Sequence, residues 1–129
     1  MATVARMRWI LVFLGGGLGS LLRFELAGFV QARIGPAFPW GTFSVNALGC
    51  LAIGVLATWF DERSGAGHEA RLFLIAGLLG GFTTFSTFGL ETFRLLEEAR
   101  YAAAFGNAAG SFAVSLSAVA IGVAIGRAN

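Results

Sequence analysis

Gly80-Gly81-Phe82-Thr83-Thr84-Phe85-Ser86-Thr87-Phe88 interrupts an apolar segment, with Leu72-Phe73-Leu74-Ile75-Ala76 before it and Leu90, Phe93, Leu95 and Leu96 after it. Adjacent glycines and a β-branched pair are poor helix formers. In a water-soluble chain the stretch would read as a loop. Inside an apolar segment it reads as a helix broken at membrane depth, with residues 80–88 as the break. Such breaks persist only where the freed backbone is buried in protein or lines a polar cavity. They commonly mark ion or substrate sites, because freed carbonyls coordinate cations. The competing reading is a simple kink whose hydroxyls bond to carbonyls one turn earlier. The stretch by itself leaves both open.

The rest of the chain supplies the apolar setting. Of 129 residues, 57% are hydrophobic and 12% charged, and the mean hydropathy is +0.78. The charged share is about half of the ~25% usual for soluble domains. A spanning helix takes ~20 apolar residues, so four of them with short loops use nearly the whole chain. The expectation is an all-α membrane protein with one four-helix domain over residues 1–129 and no separate soluble domain. Nine arginines and no lysine are scattered singly, which does not read as a nucleic-acid surface. Cys50 is alone, which excludes an intramolecular disulfide or a cysteine metal site; it reads as a small buried apolar residue. His68, among loop charges, reads as solvated.

The first helix is expected over about Met7–Phe29, with Trp9 at one interface. Gly15 and Gly19 make a small-residue face that permits close helix approach. Arg23 lies ~24 Å along the axis from Met7, near the far interface. It reads either as a snorkelling side chain or as a positive charge at a pore mouth. Gly35, Pro36 and Pro39 break the chain. The second helix is expected over about Gly41–Phe60, where Thr42, Asn46 and Cys50 share a face by their four-residue spacing. Asn46 is costly in hydrocarbon without partners and must face another helix, water or a substrate. Asp61 to Ala70 is a polar loop with Arg63, Gly65 and Gly67. The third helix is expected over residues 71–98 with its break at 80–88. Arg94, Glu97, Glu98 and Arg100 form an interfacial charge cluster. The fourth is expected over Tyr101–Ile125, with a polar stripe of Asn107, Ser111 and Ser115 and a small-residue series at Ala118, Gly122 and Gly126.

Orientation signals nearly cancel. One side carries Arg6, Arg8, Arg63, Arg71 and Arg127, the other Arg23, Arg33, Arg94 and Arg100. A chain without positive-inside bias is suited to insert both ways up and pair antiparallel about an axis in the membrane plane.

These residues resemble the fluoride channels of the Fluc (CrcB) family over nearly the full length. The resemblance rests on Gly15-Gly-Gly-Leu-Gly19 followed by Arg23, on Gly41-Thr42-Phe-Ser-Val-Asn46-Ala-Leu-Gly49, and on Gly80 to Phe88. It implies an antiparallel dual-topology homodimer in the lipid bilayer of a prokaryotic cell membrane, with two fluoride pores and a structural sodium ion at the dimer centre. It implies that Thr42 and Asn46 line the pore, that Phe85 and Phe88 are paired rings along the fluoride path, and that Ser111 and Ser115 supply hydroxyls to it. Arg23 is implied as a vestibule residue, and the backbone carbonyls of Gly80 and Thr83 as sodium ligands. Some family members carry Tyr where this chain has Asn107.

The chemistry agrees with the resemblance. A strongly hydrated anion needs donors to replace its water, and amide and hydroxyl groups supply them. Phenyl edges are electropositive. Dipoles bind weakly enough for release. The implied function is passive fluoride export that lowers toxic cytoplasmic fluoride, not enzymatic catalysis. The alternative is a proton-coupled small multidrug transporter, which wants a carboxylate deep in a helix; Glu25 is the residue assigned to that role. A third reading, a non-transporting membrane protein, needs no helix break.

Overall fold

The computed structural model describes residues 2–62 and 67–128, with side chains from Arg6 onward. Arg63 and Gly65 lie outside the described residues. The described secondary structure is helical throughout. α1 spans Ala2–Ile34 and α2 Trp40–Glu62. Three segments, His68–Arg71, Leu72–Leu79 and Gly80–Phe82, run on as one helix, α3 (residues 68–82). α4 spans Phe85–Glu97 and α5 Tyr101–Ala128. Four stretches are long and apolar enough to cross a membrane: Arg6–Ile34, Trp40–Glu62, His68–Glu97 and Tyr101–Ala128.

Two sequence expectations are corrected. α1 is longer than residues 7–29, so Arg23 is not near its end; the helix continues to Ile34, ~16 Å further at 1.5 Å per residue. Residues 68–70 belong to α3 rather than to the loop, and His68 is exposed at its start.

Leu72–Leu79 is wound as a π-helix, with i→i+5 bonds, a form that is rare and concentrated near functional sites. The turn is apolar throughout and packs on α1. Glycine makes that approach possible. A Cβ on Gly15 would lie 2.5 Å from the Phe73 carbonyl oxygen and 2.9 Å from the Leu78 nitrogen. The small-residue face of α1 is thus used within the chain. α2 and α5 repeat the arrangement: a Cβ on Gly54 would lie 2.5 Å from the Val119 carbonyl oxygen and 3.0 Å from the Val123 nitrogen. Gly54→Ala should therefore force the two helices apart and cost about 1–3 kcal/mol, as overpacking does. Thermal unfolding in detergent checks this; an unchanged midpoint would show that the helices separate freely.

Loops at one end are tied by side chains. Gln31 donates from Nε2 to the carbonyls of Gly35 (2.6 Å) and Phe38 (3.0 Å) and accepts from the Gly41 amide (3.0 Å). Gly35, with φ of 109°, takes a left-handed turn there. The α4–α5 turn closes with Ala99 N–H to Leu96 O and Arg100 N–H to Leu95 O. That is the two-bond C-terminal stop in which the residue after the helix turns left-handed; here it is Ala99, with φ of 55°. The Arg100 guanidinium then donates to the Ala37 carbonyl, holding the two loops together.

Large apolar side chains remain exposed on α1, α4 and α5, among them Trp9, Phe13, Phe24, Phe105 and Phe112. In water such faces would be a liability; they suit lipid or a second copy of the chain.

Candidate functional site

The helical backbone stops at Thr83 and Thr84, whose φ and ψ are −82°, 159° and −151°, 125°. The interruption is narrower than residues 80–88. Gly80, Gly81 and Phe82 are helical, and α4 restarts at Phe85. Thr84 caps α4, its hydroxyl accepting from the Thr87 amide at 3.2 Å, as an N-cap threonine does.

Asn46 replaces the helical partner that the Thr84 amide lacks. Its Nδ2 donates to the Thr84 carbonyl at 2.9 Å, and its Oδ1 accepts from the Thr84 amide at 2.8 Å. The side-chain amide therefore pairs with the backbone as a neighbouring strand would. The Thr84 N–H points to Asn46 rather than back to the Gly80 carbonyl. Glycine at position 49, one turn along α2, leaves room for this contact: a Cβ there would collide with the Thr83 methyl.

Beside the interruption lies a cavity of about 660 Å³, bordered by α2, α3, α4 and α5. Asn46, Phe85, Phe88, Ser111 and Ser115 line it, together with Gly80, Thr83 and half-buried Cys50. The Phe85 and Phe88 rings pair at 5.4 Å between centroids, tilted by 40°. Phe85 is 83% exposed, standing on the open side of the cavity. Behind the lining, Asn107 is 1% exposed. It accepts from the Ser111 hydroxyl at 3.3 Å and donates to the Thr92 oxygen at 2.8 Å. Thr92 in turn donates to the Phe88 carbonyl at 2.8 Å.

Two expected residues lie elsewhere. Thr42 is buried and donates to Glu91 Oε1 at 2.9 Å. Glu91 borders a second recess of about 250 Å³, shared with Gln31, Arg94, Glu98 and Arg100. Its Oε2 is buried with no hydrogen-bond partner among the described residues. Arg23 reaches inward, its guanidinium donating to the Thr83 carbonyl at 3.2 Å.

Sequence reasoning missed Glu91. The available signal was a carboxylate inside a spanning segment, which is costly and usually functional; the charge cluster after it drew attention away. Glu91 also corrects the choice of Glu25 as the intramembrane carboxylate. Glu25 is exposed and borders neither recess. The clamp on Thr84 and the role of Thr92 were likewise not legible, since both need a contact across helices.

For a cation, the chain offers carbonyls. Among the described residues no group of three or more His, Cys, Asp or Glu is placed to hold a metal. The Gly80 carbonyl is released from its regular donor and fits a cation. The Thr83 carbonyl already accepts from Arg23. A carbonyl oxygen has a second lone pair, so it fits too, with the guanidinium as an unfavourable neighbour.

Residues 10–123 match the family described as CrcB-like protein, Camphor Resistance (CrcB). A protein of Chloroflexus aurantiacus is 47% identical over 116 residues, 90% of this chain and 92% of the relative, and is named fluoride-specific ion channel FluC. Proteins with the same name from Rhizobium etli and a Methylobacterium species are 47% and 48% identical over 118 residues, 92% of this chain and 94% of each relative.

Proposed function

The chain belongs to the CrcB-like family and is a multi-pass membrane protein, and from that membership we propose that it is a fluoride-selective ion channel, not an enzyme. It lets cytoplasmic fluoride leave passively down its electrochemical gradient and so lowers a toxic load. The observation that carries this is the joint presence of relatives named for fluoride and of a cavity lined by dipoles and phenyl edges, with no carboxylate or basic side chain on its wall. Uncharged donors favour weak, reversible anion binding. The interruption at Thr83–Thr84 is, on this reading, a break at membrane depth whose backbone is held by Asn46. Fluoride passes along Asn46, Phe85, Phe88, Ser111 and Ser115, with Thr42 and Glu91 further along the same route and Arg23 attracting the anion.

The functional unit is an antiparallel dual-topology homodimer with two pores in a prokaryotic inner membrane. Support comes from the near-even arginine distribution and from the uncovered apolar faces and exposed Phe85. A structural sodium ion would be held between copies by the carbonyls of Gly80 and Thr83. It would supply charge compensation at the centre of the dimer, and no step of the conduction path runs through it.

The decisive experiment is efflux from liposomes holding purified protein, followed with a fluoride electrode and repeated with chloride. Fast fluoride efflux without chloride efflux is expected; equal efflux of both would remove the selectivity from this reading. Phe85→Ile and Phe88→Ile should each cut fluoride efflux about tenfold, because an aliphatic edge lacks the ring's positive rim, while size-exclusion profiles stay those of the native assembly. Unchanged efflux in both would take the rings out of the path. The proton-coupled transporter alternative now rests on Glu91. It requires cation transport driven by a proton gradient and lost in Glu91→Gln.

A further inference from the structure

We propose that Asn107 fixes the polarity of Ser111, so that its hydroxyl faces the cavity with lone pairs and not with its proton until an anion draws the proton away. This rests on the fluoride-channel reading of the cavity.

The argument is one of hydrogen-bond direction. The Phe88 carbonyl can only accept. The Thr92 hydroxyl, 2.8 Å from it, therefore spends its single proton there. Thr92 Oγ1 is left to accept from Asn107, so the atom of Asn107 that faces it must be Nδ2. That sets Oδ1 toward Ser111, whose hydroxyl must donate its one proton inward. The direction of every link is thus forced by the carbonyl at the end. Asn107 is almost wholly buried, so water does not compete for its amide. Ser111, which borders the cavity, shows it an acceptor. An anion gains a donor there only by pulling the proton off Asn107 Oδ1. That leaves a buried carbonyl oxygen unpaired, which is costly. Asn107 is a positioning residue, setting how strongly one station of the path holds an anion.

Thr92→Val tests this, because valine keeps the shape of threonine and removes the oxygen that fixes the amide. The untied Asn107 amide can then turn its N–H to Ser111 and release the serine proton to the cavity. Fluoride efflux should half-saturate at a fluoride concentration about tenfold lower, the equivalent of one hydrogen bond. Simple loss of packing would not tighten an ion site. In the Thr92→Val background, Ser111→Ala should raise the half-saturating concentration about tenfold more than it does in the native background. Additive effects of the two substitutions, or a weaker fluoride response in Thr92→Val, would overturn the inference while leaving the channel reading in place.

A second readout needs no ion. Hydrogen exchange at the Asn107 side-chain amide, followed by ¹⁵N NMR in detergent, should be slow in the native protein and faster in Thr92→Val. Equal rates would overturn the chain of bonds. If the native protein passed no fluoride, the channel reading would fall, and the exchange rates would still decide the polarity of Ser111.

Discussion

Asn46→Leu is expected to lower fluoride efflux by about tenfold or more. Leucine keeps the branching of asparagine and takes away both bonds to Thr84, at 2.8 and 2.9 Å. The Thr84 amide has no helical partner to return to, because the backbone there is extended; the Thr84 carbonyl, as the N-cap carbonyl of α4, keeps its place in the first turn. A buried backbone amide left unpaired costs about 1–3 kcal/mol, a range that spans the ~1.4 kcal/mol corresponding to a tenfold change. The chain can escape this cost only by winding residues 83 and 84 into helix, which would turn Phe85 by about 100° for each residue added. Either outcome destroys the arrangement of Phe85 and Phe88 at the cavity. Asn46→Asp separates the two functions of the side chain. It keeps an acceptor for the Thr84 amide, turns a carboxylate toward the Thr84 carbonyl and adds a negative charge to the proposed anion route. Both variants should lose efflux, and the thermal midpoint should fall further for Asn46→Leu than for a cavity-lining control such as Ser115→Ala. Efflux within about threefold of native in Asn46→Leu would show that the clamp is dispensable.

The second large effect concerns orientation. Glu62→Lys with Glu69→Lys adds two lysines to the side that carries Arg6, Arg8, Arg71 and Arg127. Ala37→Lys with Glu97→Lys adds two to the opposite side. All four positions are exposed, so neither pair should disturb packing. Positive charges on short loops decide which side stays in the cytoplasm, and each pair should drive all copies one way up. If the channel is an antiparallel dimer, each variant alone should give no fluoride resistance when expressed in a fluoride-sensitive strain, and the two together should restore it. A single biased variant with full activity would sink the antiparallel arrangement and leave the single-chain cavity as the whole conduction unit.

Burial inside one copy is the reason a second copy would matter to the site. Phe85 stands exposed beside the cavity, and α1, α4 and α5 carry uncovered aromatic rings. Residues from distant parts of the sequence, Asn46, the turn at 84–88 and Ser111, line one cavity. The open side faces away from the chain's own helices, where a second copy would close it.

Much of this was legible in the residues. Four spans follow from composition and window length alone, since a ~30 Å hydrocarbon layer imposes a length and an apolarity that few charges survive. The lone asparagine in α2 and the hydroxyl-rich stretch after Gly80 mark polar groups that need partners in any apolar setting. The family resemblance rests on the same residues and agrees with the match over residues 10–123.

Which residues break the helix was decided only in three dimensions. The glycine pair and the β-branched pair were equally suspect; Gly80 and Gly81 are helical, and glycine at 81 serves close approach to α1, where a Cβ would meet the Gly16 carbonyl. The break falls on Thr83 and Thr84 because Asn46 and Arg23 stand ready for their freed backbone groups. Local propensity sets a cost of ordering each residue, but it does not contain the partners that repay it. The same holds for Glu91, whose bond to Thr42 joins residues 49 positions apart, and for the direction of the Ser111–Asn107–Thr92 chain. Sequence determined that this chain spans a membrane with polar groups it must satisfy internally. Tertiary structure decided which of those groups satisfy one another, because hydrogen-bond direction and burial depend on distances between helices that no local pattern encodes.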